Sequence, residues 1–227
     1  MEEPYGRLTS NLKNALENFS NEKIENQQNP FDSLANLLMN NHRIKSGDSV
    51  YSITEIEFYF HSKEHADPYT HCDDEQFTSC KWYFNGMGLD LTFGNKDKNI
   101  HGGILIRGIK KPEDKPVYID GPSNVLKELF SCNEVAFTTR CGICLIEFPN
   151  ENNIDKSKLY RAKRVGLPQK KEDPSNFRDK KYRYIADLNK DHKFKGKEEV
   201  VIELIECGDI TKETGLAVLE YTPKILK

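Results

Sequence analysis

The 227-residue sequence lacks the features that mark membrane and secreted proteins. No stretch approaches the roughly 20 consecutive apolar residues that a membrane-spanning helix needs. The acidic start, residues 1–4, has no apolar core of a secretion signal. Six cysteines are too few for a dense disulfide framework in a chain of this length, so reduced thiols are expected. We therefore expect an intracellular protein, cytoplasmic or nuclear in a eukaryote, with no membrane partner.

Common catalytic motifs and a net basic charge are missing as well. The sequence has no GxxxxGK[ST] phosphate loop, no GxSxG nucleophile elbow and no HExxH zinc motif. Its net charge of −3 gives no overall basic field for binding nucleic acid. Between residues 156 and 183, however, eleven Lys or Arg residues stand against three Asp or Glu residues. This cluster is either a solvated surface or a surface that faces phosphates.

Apolar periodicity predicts both helices and strands. Helical spacing marks segments 8–19 and 31–38, and proline at the first helical position predicts another helix from Pro122. Extended patterns predict strands at 50–60, 89–93, 103–109, 143–148, 198–206 and 215–221.

These elements favour an α+β fold because they do not alternate regularly as βαβ units. We predict a single domain over residues 1–227, with a curved, mostly antiparallel sheet or partly open barrel flanked by a few helices. Residues 1–30 are expected to form an N-terminal helical extension. Residues 149–181 are expected to form a long charged loop, either a mobile segment or a functional surface.

The strand at 53–60 carries the most informative pattern. Alternation places Glu55, Glu57 and Tyr59 on one face of the strand. Glutamate is disfavoured in strands, so two of them beside a tyrosine require an explanation. They either line a solvated sheet face or place a carboxylate in an aromatic-walled pocket, where it is suited to base catalysis.

Arg107 lies within an apolar strand and must find a partner, because an unpaired buried charge is costly. It either closes an ion pair or holds a phosphate or a water.

A loop at 61–81, rich in His, Asp and Cys, and the pair Cys141 and Cys144 leave a zinc-stapled interaction domain as one alternative. The irregular spacing favours buried, reduced cysteines instead, so we expect no metal and no cofactor.

Taken in order, these segments resemble the alkyladenine (methylpurine) DNA glycosylase family. The family's Glu-Thr-Glu-Ala-Tyr strand is similar to residues 55–59, and its Val-Leu-Leu-Arg-Ala strand to residues 104–108. Further short matches, in the family's order, lie at 89–94, 121–126, 164–166 and 182–184. The resemblance runs from about residue 31 to 190.

The resemblance implies a role for several side chains. Glu57 would activate the water that attacks the sugar of a flipped-out base, and Tyr59 would stack on that base. Arg107 would hold the water or a phosphate, and His71 would contact the base or its phosphate. Phosphate contacts are expected from Lys163, Arg164 and Arg183.

Two positions depart from the family pattern. The family's intercalating tyrosine corresponds to Phe93, which is expected to wedge into a base stack. A pocket tyrosine corresponds to Asp90, which cannot stack and would change the base that is accepted.

The sequence therefore predicts a monomeric DNA N-glycosylase that excises a modified base. The alternative is a non-catalytic module on the same fold, with DNA, RNA or a nucleotide as its partner.

Overall fold

A computed structural model of the protein describes residues 10–19, 30–131, 142–148, 156–169 and 172–226. The helices in this part of the chain are α1 (Ser10–Glu17), α2 (Pro30–Asn41), α3 (Pro122–Ser131), α4 (Lys197–Glu206) and α5 (Lys212–Leu219). The strands are β1 (His42–Ser46), β2 (Ser49–His61), β3 (Ser79–Phe84), β4 (Leu89–Phe93), β5 (His101–Lys111), β6 (Val117–Asp120), β7 (Ile143–Glu147), β8 (Tyr160–Ala162) and β9 (Arg183–Ile185).

All nine described strands belong to one antiparallel sheet. The main path is β3-β4-β5-β2-β1-β7, while β6 pairs with β5 and β9 connects β2 to β8. The sheet is strongly curled and forms a half-barrel, which confirms the predicted α+β fold. None of the described helices is both long and apolar enough to cross a lipid bilayer.

The central strands β4, β5 and β2 have two chemically different faces. One face is apolar and packs against α1 and α2: the ring of Phe31 stacks on Phe58 at 4.6 Å, and Phe19 contacts Phe60 at 5.3 Å. On the opposite face, Glu57 lies level with Leu105 and Asp90 in the neighbouring strands. We call this second side the polar face.

The N-terminal helix α1 contributes to the main hydrophobic core. Leu12 and Leu16 of α1 are buried in the same cluster as Phe31 and Leu38 of α2. Residues 10–19 therefore pack into the domain together with the sheet. The remaining part of the predicted extension, 1–9 and 20–29, lies outside the described residues.

The two predicted C-terminal strands are wrong. Segment 198–206 lies in helix α4 and segment 215–221 lies largely in helix α5. In α4, Val200, Val201 and Leu204 are buried on one side, which is helical spacing despite the β-branched residues. Thr211 caps α5 by accepting the backbone N–H of Thr214 at 3.1 Å. The β-propensity of Val and Ile was overridden by this spacing and capping.

The two predicted loops contain regular structure. Segment 61–81 includes a short 3-10 turn at Asp74–Phe77 and the start of β3. Segment 149–181 includes β8 and a second 3-10 turn at Phe177–Asp179. Residues 149–155, 170 and 171 lie outside the described part of the chain.

Candidate functional site on the polar sheet face

Glu57 lies at the centre of the polar face, and its side chain is 0% exposed. Its Oε2 accepts a hydrogen bond from the Tyr59 hydroxyl at 2.8 Å. Its Oε1 accepts one from the backbone N–H of Val165 at 2.8 Å. Glu57 and Tyr59 therefore share one face, as the alternation predicts, and the carboxylate is fixed by two directed donors.

Arg107 links Glu57 to the second carboxylate of the strand. Its Nε donates to Glu55 Oε1 at 2.7 Å, and its Nη1 lies 3.4 Å from Glu57 Oε2. The buried arginine has thus found the ion-pair partners that its place in an apolar strand requires. The reading of these carboxylates as a solvated sheet face is wrong, since both side chains are almost completely buried.

Arg183 is also part of this network. Its Nε donates to Glu55 Oε1 at 2.7 Å and its Nη2 donates to the Lys195 carbonyl at 2.8 Å. The side chain is fully buried. Arg183 therefore neutralises Glu55 inside the protein. The predicted phosphate contact of Arg183 is wrong, because its side chain does not reach the surface.

Arg164 is the second buried arginine that was expected at the surface. It forms a two-point ion pair with Asp67, at 2.7 and 3.2 Å, and donates to the Phe58 and Phe177 carbonyls. Its guanidinium lies 4.8 Å from the centre of the Tyr59 ring. The expected phosphate contact is again corrected, because Arg164 instead supports Tyr59 through a cation–π contact.

Tyr59 is half-buried beside these charges. Burial, and next the negative charge of Glu57, raise the pKa of the Tyr59 hydroxyl well above its usual range. The hydroxyl therefore stays protonated and keeps donating to Glu57.

Asp90, on β4, is buried on the same face. Its Oδ1 accepts a hydrogen bond from Asn85 Nδ2 at 3.0 Å. Burial raises the pKa of Asp90 to about 7, and the charges of Glu57 and Asp73 act in the same direction against the hydrogen bond from Asn85. A carboxyl group that titrates near neutrality is typical of functional sites.

Gln76 reaches the same place from the loop before β3. Its Oε1 accepts the backbone N–H of Cys72 at 2.9 Å, which leaves its amide nitrogen as a donor. That nitrogen is buried and has no hydrogen-bond partner among the described residues. Sequence reasoning missed Gln76, because a glutamine in a polar loop carries no pattern.

Phe93 is not brought to Glu57. Phe93 is buried on the apolar face, where its ring stacks with Phe60 at 5.9 Å, so the expected wedge into a base stack is corrected. His71 is exposed, and its contact with the base stays a prediction. The buried histidine of this loop is His65, whose Nε2 lies 2.8 Å from the Tyr182 hydroxyl.

An apolar side chain lies at the surface in the turn that precedes Asp90. Met87, at the tip of the β3–β4 hairpin, is 72% exposed. Asn85 shapes this tip, since its Oδ1 accepts the N–H groups of Met87 at 3.1 Å and Gly88 at 2.9 Å. The same Asn85 holds Asp90, so the hairpin tip and the polar face share one organising residue.

Part of the basic cluster at 156–183 is paired with acidic side chains. Lys163 is exposed and lies 3.0 Å from Asp179, and Lys181 contacts Glu203 at 2.7 Å. Together with the buried Arg164 and Arg183, these pairs balance part of the local positive charge. Of the three expected phosphate contacts, only Lys163 lies at the surface.

The described residues contain no group of three or more His, Cys, Asp or Glu side chains that could hold a metal. Cys141, one half of the Cys141/Cys144 pair, lies outside them.

A cleft of about 970 Å³ lies elsewhere, lined by Arg43, Lys110 and Asp187 among others, and none of Glu57, Tyr59 or Asp90 borders it. Lys110 and Asp187 form an ion pair there. We take the polar face as the candidate site because it combines buried, oriented ionisable groups with an unused donor.

No family model matches the chain. The chain is similar to uncharacterized protein L759 of Acanthamoeba polyphaga mimivirus, with 29% identity over 187 residues, covering 68% of this chain and 85% of that protein.

Proposed function

We propose that the polar face binds a single modified base of DNA and that Glu57 activates the water that releases it. The observation that carries the proposal is the buried Glu57 carboxylate, oriented by the Tyr59 hydroxyl and the Val165 N–H and adjoined by Arg107. A carboxylate held in this way is suited to accept a proton at a fixed position. The resemblance of residues 55–59 and 104–108 to the alkyladenine glycosylase family supports the same chemistry.

The proposed reaction is hydrolysis of the N-glycosidic bond. The water oxygen forms a bond to the sugar C1′ as the C1′–N bond breaks, and the electron pair of that bond leaves with the base. Glu57 takes the proton from the water. Positive charge develops on the sugar in the transition state, and the Glu57 carboxylate also stabilises it.

The other groups keep Glu57 in place. Arg107 contacts both Glu55 and Glu57, so it fixes the carboxylate and balances its charge. Tyr59 holds Glu57 through its hydroxyl and offers an aromatic ring beside it, on which a flipped-out base can stack. We propose that the protein acts as a monomer on DNA in the cytoplasm or in a nucleus.

A second candidate, a non-catalytic base-binding module, is favoured by a specific observation. Both oxygens of Glu57 already accept hydrogen bonds from protein groups, and the side chain is fully buried. In such a module Glu57 would hold the fold of the site and would not touch water. The two candidates differ in one measurable property, the release of free base.

The test uses DNA duplexes and single strands that carry alkylated, deaminated or hypermodified bases, with free base measured by mass spectrometry. The proteins are wild type, Glu57→Gln, and Glu75→Gln as a control at an exposed site. We expect Glu57→Gln to lower base release by roughly 100-fold or more while retaining binding. The Glu75→Gln control should match wild type.

One outcome would contradict the role of Glu57 and another the glycosylase activity itself. Base release by Glu57→Gln at the wild-type rate would remove Glu57 from the chemistry. Binding by both proteins with no release from any substrate would establish the non-catalytic module.

A further inference from the structure

Two consecutive residues, Arg164 and Val165, contact both Glu57 and Tyr59. The Val165 backbone N–H donates to Glu57 Oε1 at 2.8 Å. The Arg164 guanidinium lies over the Tyr59 ring, 4.8 Å from its centre. One short piece of backbone therefore orients both the carboxylate and the ring of the proposed site.

The sheet ladder ends before it reaches Val165. Strand β8 ends at Ala162, which pairs with Arg183 of β9, and Val165 lies three residues further on. Gly166 then turns the chain with a φ of 77°, a left-handed conformation that favours glycine. The direction of the Val165 N–H therefore depends on how the neighbouring Arg164 is held.

Arg164 is held by acceptors from three separate parts of the chain. Asp67 accepts at both carboxylate oxygens, at 2.7 and 3.2 Å. The carbonyls of Phe58 and Phe177 each accept at 3.1 Å. The side chains of Arg164 and Asp67 are both 0% exposed. A planar fork of donors that meets two carboxylate oxygens has a fixed orientation, so Asp67 determines where the guanidinium lies.

Asp67 is in turn fixed by the backbone around it. Its Oδ1 accepts the N–H of Tyr69 at 3.1 Å, and its own N–H donates to the His65 carbonyl at 2.9 Å. The N–H of Thr70 donates to the Asp67 carbonyl at 3.3 Å. The carboxylate is therefore a firm support, carried by the loop that precedes β3.

Building on the proposed function, we propose that Asp67 is a positioning residue of the site. Through Arg164 it holds the Val165 N–H against the Glu57 carboxylate. The same guanidinium keeps the Tyr59 ring in place. It lies over one face of that ring, so a base that stacks on Tyr59 must use the opposite face. In this role Asp67 touches neither the base nor the water.

A positioning role explains why a charged pair is buried at this place. Apolar side chains of similar volume often stabilise a fold as well as a buried ion pair does. They would not, however, fix the direction of a neighbouring backbone N–H. The Arg164 fork, anchored on Asp67, supplies that direction.

The first measurement is hydrogen exchange of the Val165 amide, by NMR on the whole protein with isotope-labelled valine, and it needs no substrate. Asp67→Asn keeps the side-chain volume but leaves a single oxygen for the Arg164 fork. We expect the Val165 amide to exchange roughly tenfold faster or more, because its hydrogen bond to Glu57 opens more often. The amide of the buried Val201 in α4 reports general unfolding and should change by about threefold or less.

A double variant keeps this test valid if Asp67→Asn does not fold. Asp67→Asn leaves the buried Arg164 cation without the carboxylate it pairs with, which lowers stability. Asp67→Asn/Arg164→Met removes both charges and with them the anchor, so the Val165 amide should again exchange roughly tenfold faster. Thermal unfolding of each variant shows that it is folded under the conditions of the measurement.

The second measurement is base release from a substrate on which wild type is active, with kcat and KM determined separately. We expect Asp67→Asn to lower kcat by roughly 10- to 100-fold, because Glu57 loses its fixed orientation. KM should change by about threefold or less, since the Tyr59 ring remains in the site. Arg164→Lys keeps a cation beside Tyr59 but lacks the two-point fork, so it should lower kcat in the same way.

Asp187→Asn is the matched control. Asp187 is also an ion-paired carboxylate, with Lys110 and the Ser157 hydroxyl as partners, but it borders the separate cleft. Its φ of 51° is a left-handed conformation that asparagine also adopts. We expect this variant to lower thermal stability and to leave both the Val165 exchange rate and kcat unchanged.

The outcomes separate the positioning role from the proposed function. Val165 exchange at the wild-type rate in both Asp67 variants would overturn the positioning role, whether or not base is released. Equal acceleration of the Val165 and Val201 amides would overturn it too, because it would show general destabilisation. Equal kcat of Asp67→Asn and wild type would also overturn it. Wild type that releases no base from any substrate would overturn the glycosylase proposal, while Val165 exchange would still decide whether Asp67 positions the site.

Discussion

The two faces of the central strands are both buried, but different interactions stabilise their side chains. On the apolar face, Phe58 and Phe60 pack against the helices through aromatic contacts. On the polar face, Glu55 and Glu57 alternate with them along the same strand and are equally buried. Apolar packing is non-directional and tolerates small shifts, whereas the carboxylates need partners at fixed positions.

This difference has a consequence for function. Replacing a whole buried ion-pair network by well-packed apolar residues is often neutral or stabilising, so a stable sheet does not require a polar face of this kind. Its network does hold Glu57 in a fixed orientation beside Tyr59, an arrangement that a catalytic or binding site requires. The apolar face thus stabilises the fold by packing, whereas the polar face holds Glu57 and Tyr59 in fixed positions.

Among the variants considered, the largest loss of stability is expected for Glu55→Ala on the polar face. The change leaves Arg183 without a carboxylate and Arg107 with only its longer contact to Glu57. We expect the free energy of unfolding to fall by about 3–5 kcal/mol, measured by urea denaturation. Glu75→Ala, at an exposed site, should change it by no more than about 0.5 kcal/mol. A loss below about 1 kcal/mol in Glu55→Ala would show that the ion pairs of Glu55 contribute little to the stability of the fold.

A second test uses the pH dependence of stability that Asp90 contributes on the polar face. The pKa of Asp90 is raised from 3.8 to about 7, mainly by burial, so the folded state holds this proton more tightly than the unfolded state. The contribution of Asp90 to stability is thus fully present below about pH 4 and is lost as the pH rises to about 7.

Asp90→Asn should remove this dependence. We expect the free energy of unfolding of the variant, relative to wild type, to rise by on the order of 4 kcal/mol between about pH 4 and pH 8. His65, whose pKa burial lowers, titrates in both proteins and cancels in the difference. Parallel curves for the two proteins would show that Asp90 is ionised normally.

The alternation along β2 made much of the polar face predictable. Two glutamates and a tyrosine at every second position required a common face, and an arginine in an apolar strand required an acidic partner. The structure joins them, with Arg107 between Glu55 and Glu57. Local periodicity was sufficient because all these residues lie on adjacent, long strands.

Other residues depend on contacts that the sequence does not display. Arg164 and Arg183 lie in a basic cluster, yet each is neutralised by a carboxylate more than 90 positions away, Asp67 and Glu55. Phe93 is the last residue of β4, and its ring is buried by contacts with Phe19, Phe58 and Phe60, which are distant in the sequence. Gln76 is recognised as a site residue only because the structure shows its unused donor beside Gly103.

The smallest effect on stability is expected at Met87, an apolar residue that lies on neither face. It stands on the hairpin tip that Asn85 connects to Asp90, and with a 72% exposed side chain it stabilises the fold little. Apolar side chains at such places can wedge between base steps and help to extrude a nucleotide. Met87→Ala should change the free energy of unfolding by no more than about 0.5 kcal/mol.

The affinity of the Met87→Ala variant for a duplex that wild type binds should fall roughly tenfold, because the apolar wedge is lost. Ile225→Ala is the matched control, since Ile225 is 71% exposed and lies in the C-terminal turn Lys224–Leu226. Both variants remove a similar exposed apolar surface, so a general loss of hydrophobic contact would affect them equally. A tenfold loss confined to Met87→Ala, measured by fluorescence anisotropy, would place the hairpin tip in the DNA interface. Equal affinity of both variants and wild type would exclude Met87 from the DNA interface.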